Sequence, residues 1–224
     1  MSDKKQHYDE HYFRSRYGHL FGDPKGHGLL AEFWKEVIFD PLRNSGMSAD
    51  ASLLDYGSGP GVVSAALGNA TCFDTSSWIQ EYLRSLGRKV IGSTDEILRG
   101  QYDGILCSHS LEHYEHPKKA LEDFRAYVRP RGFLILILPI ETDYDVMLEP
   151  DLNQHLYAWT FQSISNLLRI SGWTPVYGRR INGPFMLRTL SRILPAKAAI
   201  SGARLAGAFK GAFPSMLVAA RLES

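Results

Sequence analysis

Nine residues, Leu53-Leu54-Asp55-Tyr56-Gly57-Ser58-Gly59-Pro60-Gly61, restrict the folds open to this 224-residue chain more than any other stretch. Two aliphatic residues run into an acid, and three glycines then alternate with other residues. This predicts a buried strand followed by a tight turn. Glycine at alternate positions permits positive φ and leaves no Cβ in the way, so a ligand can lie directly on the backbone. Residues 62–67, Val-Val-Ser-Ala-Ala-Leu, suit a helix whose first N–H groups would face the polar end of that ligand. A dinucleotide site of the form G-x-G-x-x-G would need a small residue where Val62 stands, and a P-loop would need a Gly-Lys-Ser/Thr ending that is absent.

The residues that follow alternate between strand and helix patterns. Ala70-Thr71-Cys72-Phe73-Asp74 reads as a second strand ending in an acid. At such a strand end an α/β fold accepts hydrogen bonds from ribose hydroxyls, which is the expected role of Asp74. The competing role is an N-cap for the next helix, which Thr75, Ser76 and Ser77 could equally provide. Further strands are expected at 89–92, 102–108, 133–138, 173–177 and 215–221, with helices at 29–39, 78–86, 118–128 and 161–170. Asp40-Pro41 is expected to end the first of these helices. Strands that are apolar throughout, separated by helices, imply a parallel sheet covered on both faces.

The acid-x-G-x-G-x-G turn and the stretch Tyr102-Asp103-Gly104-Ile105-Leu106-Cys107-Ser108-His109-Ser110-Leu111-Glu112-His113 carry a resemblance to a known family. Over residues 52–174 the chain resembles the class I S-adenosylmethionine-dependent methyltransferases, and within them the ubiquinone-type and small-metabolite O-methyltransferases. The resemblance implies a doubly wound, Rossmann-like, seven-stranded α/β sheet completed by an antiparallel C-terminal hairpin. It implies S-adenosyl-L-methionine as cofactor, held by Asp55, Gly57, Ser58, Gly59, Gly61, Asp74, Thr75, Ser108 and His109, with Asp95 against the adenine. Asp95 competes with an N-cap role for a helix starting near Glu96. The turn Pro130-Arg131-Gly132 departs from the family's Pro-Gly-Gly. The aromatic N-terminal segment, His7 onward, offers Tyr8, Tyr12 and Tyr17 as a lid over the cofactor or as simple packing. The implied reaction is methyl transfer to an oxygen or nitrogen of a small metabolite, a lipid-linked or a glycan intermediate. Two rivals stand beside it: an RNA ribose 2′-O-methyltransferase, and a cofactor-binding module without transfer activity.

His109-Ser110-Leu111-Glu112-His113 also fits H-x-x-E-H, a zinc-protease signature. That signature needs a continuous helix, whereas His109 falls at the end of a predicted strand. Three roles remain for Glu112 and His113. His113 suits a general base with a pKa near neutrality. His109, Glu112 and His113, joined by His155, are a candidate ligand set for a divalent metal, as in the quinone-precursor and small-RNA methyltransferases that resemble this chain. Alternatively the Glu-His pair braces its loop through hydrogen bonds.

Composition bounds the rest. A hydrophobic content of 44% with 22% charged residues suits a globular chain, read as one domain over 1–224: an aromatic arm and helix (1–45), a cofactor-binding core (52–178), a basic helical insertion (179–213) and a last strand (215–223). Cys72 and Cys107 fall in predicted strands, so both are expected reduced and buried, as in a cytoplasmic protein. The polar start of the chain reads against a signal peptide. Residues 152–224 hold 9 Lys and Arg but one acid, Glu223. Within them, 184–213 reads as a pair of basic amphipathic helices, covering the substrate at the sheet edge or resting on a membrane surface. Acceptors are therefore expected to be small molecules or lipid-linked. The lack of any recognised RNA-binding appendage weighs against nucleic acid.

Overall fold

A computed structural model describes residues 8–44, 46–48, 50–141 and 154–223; His7, the remaining residues of the arm before it, and the start of the loop at Asn153 lie outside these. Four parallel strands surround the glycine turn: β1 (Leu53–Tyr56), β2 (Ala70–Phe73), β3 (Lys89–Ile91) and β4 (Tyr102–Ser108). β5 (Val128–Pro139) pairs parallel to β4. β6 (Trp173–Ile181) and β7 (Ser215–Leu222) then run antiparallel, giving the order β3-β2-β1-β4-β5-β7-β6. This is the expected doubly wound sheet with its C-terminal hairpin.

Both faces are covered. On one lie α1 (Glu10–Tyr17), α2 (Pro24–Trp34), a π-helical turn (Lys35–Phe39) and α3 (Asp40–Asn44) in chain order. Phe33, Ile38 and Phe39 of this run are wholly buried against Leu53, Leu106 and Ile135. Each such side chain contributes roughly 1.5–3 kcal/mol by leaving water, enough to dock the run without strong intrinsic helix preference. α4 (Ser77–Ser85) joins the same face, where Ile79 and Leu83 pack with Tyr12, Phe13 and Cys72, while the opposite face takes α5 (Pro117–Phe124) and α6 (Phe161–Ile170). Leu121, Phe124, Ile164 and Leu168 pack there on Leu54, Leu134 and Trp173, whose indole donates to the Leu121 carbonyl at 2.8 Å.

Several boundaries differ from the sequence reading. Pro41 does not stop the N-terminal helix, because the preceding π-helical turn lets the chain re-enter an α-helix with Pro41 at its second position. Residues 62–67 make successive turns, not a helix. Only residues 62–69 separate the glycine turn from β2, two of them are β-branched valines, and the bonds formed are short-range, Ala65 N–H to Val62 and Leu67 N–H to Ser64. No helix begins near Glu96 either, only a 3₁₀ turn (Thr94–Glu96). The helix expected to 128 ends at Phe124, and Val128 already pairs with Tyr102. β6 runs on to Ile181, so the insertion starts at 182 and comprises α7 (Leu187–Leu190) and α8 (Ala196–Lys210). Cys72 and Cys107 are free and buried, as expected.

Candidate active site

The carboxyl ends of β1, β2, β4 and β5 converge on one crevice, the place where open α/β sheets take their ligands. Gly57, Gly59 and Gly61 all hold positive φ there (73°, 50° and 69°). A Cβ on Gly57 would lie 2.2 Å from the Ser110 hydroxyl of the loop after β4, and one on Gly61 would lie 2.7 Å from Leu83. Over Gly59 the space is open up to the Phe13 ring, 3.9 Å from where a Cβ would stand. The turn is pinned to the end of β2, since Gly57 and Ser58 N–H both donate to the Phe73 carbonyl, at 2.8 and 2.9 Å. The His27 ring on α2 meets the Pro60 carbonyl from the other side, at 3.2 Å.

Asp74 is buried, and its two carboxylate oxygens accept the Gly59 and Ser76 N–H groups, each at 2.9 Å. Burial raises its pKa, while the N–H groups of Ser76, Gly59 and Thr75 work against that. Asp74 is not the N-cap of α4; Ser76 is, accepting from Ile79 N–H. Each Asp74 oxygen retains a further lone pair for a sugar hydroxyl. Thr75 is exposed beside it. Asp55 is buried at the strand end with one carboxylate oxygen unpartnered among the described residues, as is the Ser58 hydroxyl. Burial pushes Asp55 up to about 6, against the pull of Ser64 and Arg88. Orphaned buried oxygens beside an open glycine backbone fit a polar cofactor end. Asp95 stands exposed on the 3₁₀ turn, and its neighbour Glu96 folds back to accept from Gly92 N–H and the Ser93 hydroxyl.

The N-terminal arm packs along this crevice. Phe13 stacks on Trp78 at 6.1 Å between ring centroids, and Tyr12 meets Phe13 edge-on at 5.2 Å. Tyr8 presents its ring to His113 at 5.7 Å, and Tyr17 joins the same cluster.

Beyond β4 the chain makes only a 3₁₀ turn (Leu111–His113), so the helix that a zinc-protease H-x-x-E-H requires is absent from this loop. Ser108 ends β4, and His109 follows at φ 47°, its Nε2 facing the Ser215 hydroxyl at 3.3 Å. Glu112 has a relative exposure of 0%, and neither of its oxygens has a hydrogen-bond partner among the described residues. Around it stand His109 Nδ1 at 3.7 Å and His155 Nε2 at 4.0 Å. Ligand atoms of Glu112, His113 and His155 lie within 4.8 Å of one another. Burial pushes Glu112 up to about 8. Although the His109 side chain is 41% exposed, loss of water around its ring, with His155 and His113 beside it, lowers its pKa to about 4. The Glu112 backbone carbonyl accepts Leu156 N–H at 2.9 Å and ties the two loops together. His155 also pairs through Nδ1 with Glu141.

Phe13, Ser110, His27 and Glu141 are site residues that the sequence did not single out. Each reaches the crevice from an element distant in sequence, and no spacing signals it.

The model of a family described as "Methyltransferase domain" matches residues 27–177. No curated protein sequence matches the chain. Among solved structures, a SAM-dependent methyltransferase from Aquifex aeolicus is similar at 16% identity and a TM-score of 0.54, covering 84% of this chain and 92% of that one. The 1,6-didemethyltoxoflavin-N1-methyltransferase of Burkholderia thailandensis, solved with 1,6-didemethyltoxoflavin and S-adenosylhomocysteine bound, is similar at 19% identity and a TM-score of 0.56, covering 96% and 88%. The [4+2]-cyclase SpnF is also similar, at 16% identity and a TM-score of 0.56, covering 87% and 80%. At these identities the likeness is one of fold, and a fold by itself does not choose a reaction.

Proposed function

The chain belongs to the S-adenosylmethionine-dependent methyltransferase family, and from that premise we propose that it methylates an oxygen or nitrogen of a small metabolite, a lipid-linked or a glycan intermediate, with a hydroxyl oxygen favoured. The Glu112 carboxylate carries this reading, being buried, without a hydrogen bond among the described residues and standing beside two imidazoles. A buried ionised carboxylate without a partner is costly unless something cationic completes it or it takes up a proton. Glu112, His113 and His155, with His109 at the rim, would hold a divalent cation whose chemistry is to acidify and orient a hydroxyl.

Bound S-adenosylmethionine supplies an already activated sulfonium methyl. The protein's remaining work is then positioning. In this reading the glycine turn, Asp55 and Ser58 bind the amino-acid end, Asp74 accepts from the sugar hydroxyls, and Asp95 lies toward the base. Phe13 and Tyr8 shield the crevice from water, and the histidine side of the crevice aligns the acceptor. A second reading needs no cation: with Glu112 uncharged at neutral pH, the adjacent His113 imidazole accepts the hydroxyl proton directly.

A labelled-methyl screen over hydroxylated and amino acceptors tests the reading, each active acceptor being assayed before and after chelation and after Mn²⁺ or Mg²⁺ addition. Hydroxyl acceptors whose turnover is lost on chelation and restored by metal support the cation. Chelator-insensitive turnover abolished by H113A supports the base. Turnover of neither acceptor class would sink both.

A further inference from the structure

The insertion between β6 and β7 is fixed on its inner side and open on its outer side. Ala199, Ala203 and Gly207 recur every fourth residue along the buried face of α8, and a Cβ on Gly207 would lie 2.2 Å from the Gly183 carbonyl oxygen. Phe185 N–H donates to the Ala203 carbonyl at 3.2 Å, and Arg188 of α7 pairs with Asp23 at the start of α2. The helix is thus held in one orientation. At the helical repeat, Lys197, Ser201, Arg204, Leu205 and Phe209 fall on the side opposite the buried one, and all five are exposed.

That outer side is apolar and cationic at once. Phe209 is 88% exposed and Leu205 75%, with Ile193 (75%) and Phe213 (77%) at the two ends of the helix. Phe213 and Met186 hold their exposed side chains at positive φ, 45° and 60°. Large apolar residues this open, grouped along one element, mark a surface that meets something. Arg192, Lys197, Arg204 and Lys210 make no ion pair among the described residues, and no acid occurs between Asp151 and Glu223. No helix among the described residues is long and apolar enough to cross a membrane.

We infer that α8 and its flanks, from Arg192 to Phe213, dock peripherally on an anionic lipid bilayer. Leu205, Phe209 and Phe213 enter the headgroup region while the four cations meet lipid phosphates. The placement gives this docking a use. Ile181 pairs with Ser215 where the insertion leaves and rejoins the sheet, and Ser215 faces His109. The insertion that carries the bilayer-facing helix therefore leaves and rejoins the sheet at the crevice edge, where a lipid-linked acceptor would be met. The docking itself depends on neither the cation nor the acceptor chemistry proposed above.

The test is co-sedimentation of the full chain with vesicles of pure phosphatidylcholine and of phosphatidylcholine mixed with phosphatidylglycerol, at low and high salt. Binding is expected only to the anionic vesicles, weakening as salt rises. Each surface cation is worth roughly fivefold in partition, so K197E/R204E should lose more than about tenfold. L205S/F209S should lose roughly tenfold as well. Calorimetric binding of S-adenosylhomocysteine and an unchanged melting temperature report that each variant is folded and that its cofactor crevice is intact. No vesicle binding by the wild-type chain overturns the inference, as does binding that both double variants retain. A dimer in solution that L205S/F209S converts to monomer overturns it too, as does salt-sensitive retention on single-stranded RNA in place of vesicles.

Discussion

Asp74 Oδ2 accepts the Gly59 backbone N–H at 2.9 Å, so the acid at the tip of β2 and the middle glycine of the first loop hold each other across the crevice. The same carboxylate accepts Ser76 N–H, so Asp74 fastens the turn, and in the proposed cofactor site it would also accept from the sugar hydroxyls. D74A leaves two buried N–H groups without partners and should cost about 1–3 kcal/mol for each that water cannot reach. D74N keeps one acceptor oxygen and should recover part of the stability. In both variants S-adenosylhomocysteine binding should fall by more than about tenfold, read by calorimetry. Full affinity in a folded D74N would remove Asp74 from the cofactor.

Two glycine substitutions should separate folding from binding. G57A brings a Cβ to 2.2 Å from the Ser110 hydroxyl at φ 73°, so it should lower the melting temperature in line with a loss of about 1–3 kcal/mol. G59A has room beneath Phe13, and its backbone cost should be nearer about 1 kcal/mol. Its added methyl occupies the space expected to hold the cofactor, so the larger effect should be on affinity. Equal affinity losses at the two positions would contradict the open space over Gly59.

The sheet was legible because its central strands are mostly apolar, β1 and β2 being buried at every residue, and because acids stand at or near strand ends. Asp55, the glycines and Asp74 are all carried by short local motifs. The helix after the glycine turn was misread because composition suggested length while the eight residues up to β2 allowed only turns. Phe13 over Gly59, Ser110 against Gly57 and Glu141 at His155 were illegible for a different reason. Each contact joins segments that meet only once the sheet has formed, and nothing in the local pattern of either segment encodes its partner.

Glu112 should leave a mark on the pH dependence of stability in the metal-free protein. Burial raises its pKa from 4.5 to about 8, so the folded chain holds a proton that the unfolded chain has released, and stability falls as pH rises through that interval. Asp55, raised to about 6, adds to the fall at its acid end. His109, lowered from 6.5 to about 4, opposes it, contributing stability that rises with pH over its own interval. Between about pH 6.5 and 8 Glu112 therefore acts alone among the three, with a slope of up to about 1.4 kcal/mol per pH unit. Denaturant melts across this window should show the wild type weakening and E112Q flat. A flat wild-type profile would mean that the carboxylate is already ionised and neutralised by another group.

The arm predicts a difference between two phenylalanines of the same aromatic cluster. Phe13 lies over Gly59 and stacks on Trp78, whereas Phe21 packs edge-on against Trp78 at 5.1 Å and Tyr82 at 4.7 Å, away from the glycine turn. Truncating either ring should loosen the arm, by up to about 3 kcal/mol for the more buried Phe13. Only F13A removes the cover from the crevice. S-adenosylhomocysteine should then dissociate roughly tenfold faster from F13A, measured by stopped-flow displacement, while F21A stays near wild type despite its own loss of stability. Matching dissociation rates in the two variants would reduce the arm to packing, and the shielding of the crevice would have to come from another element.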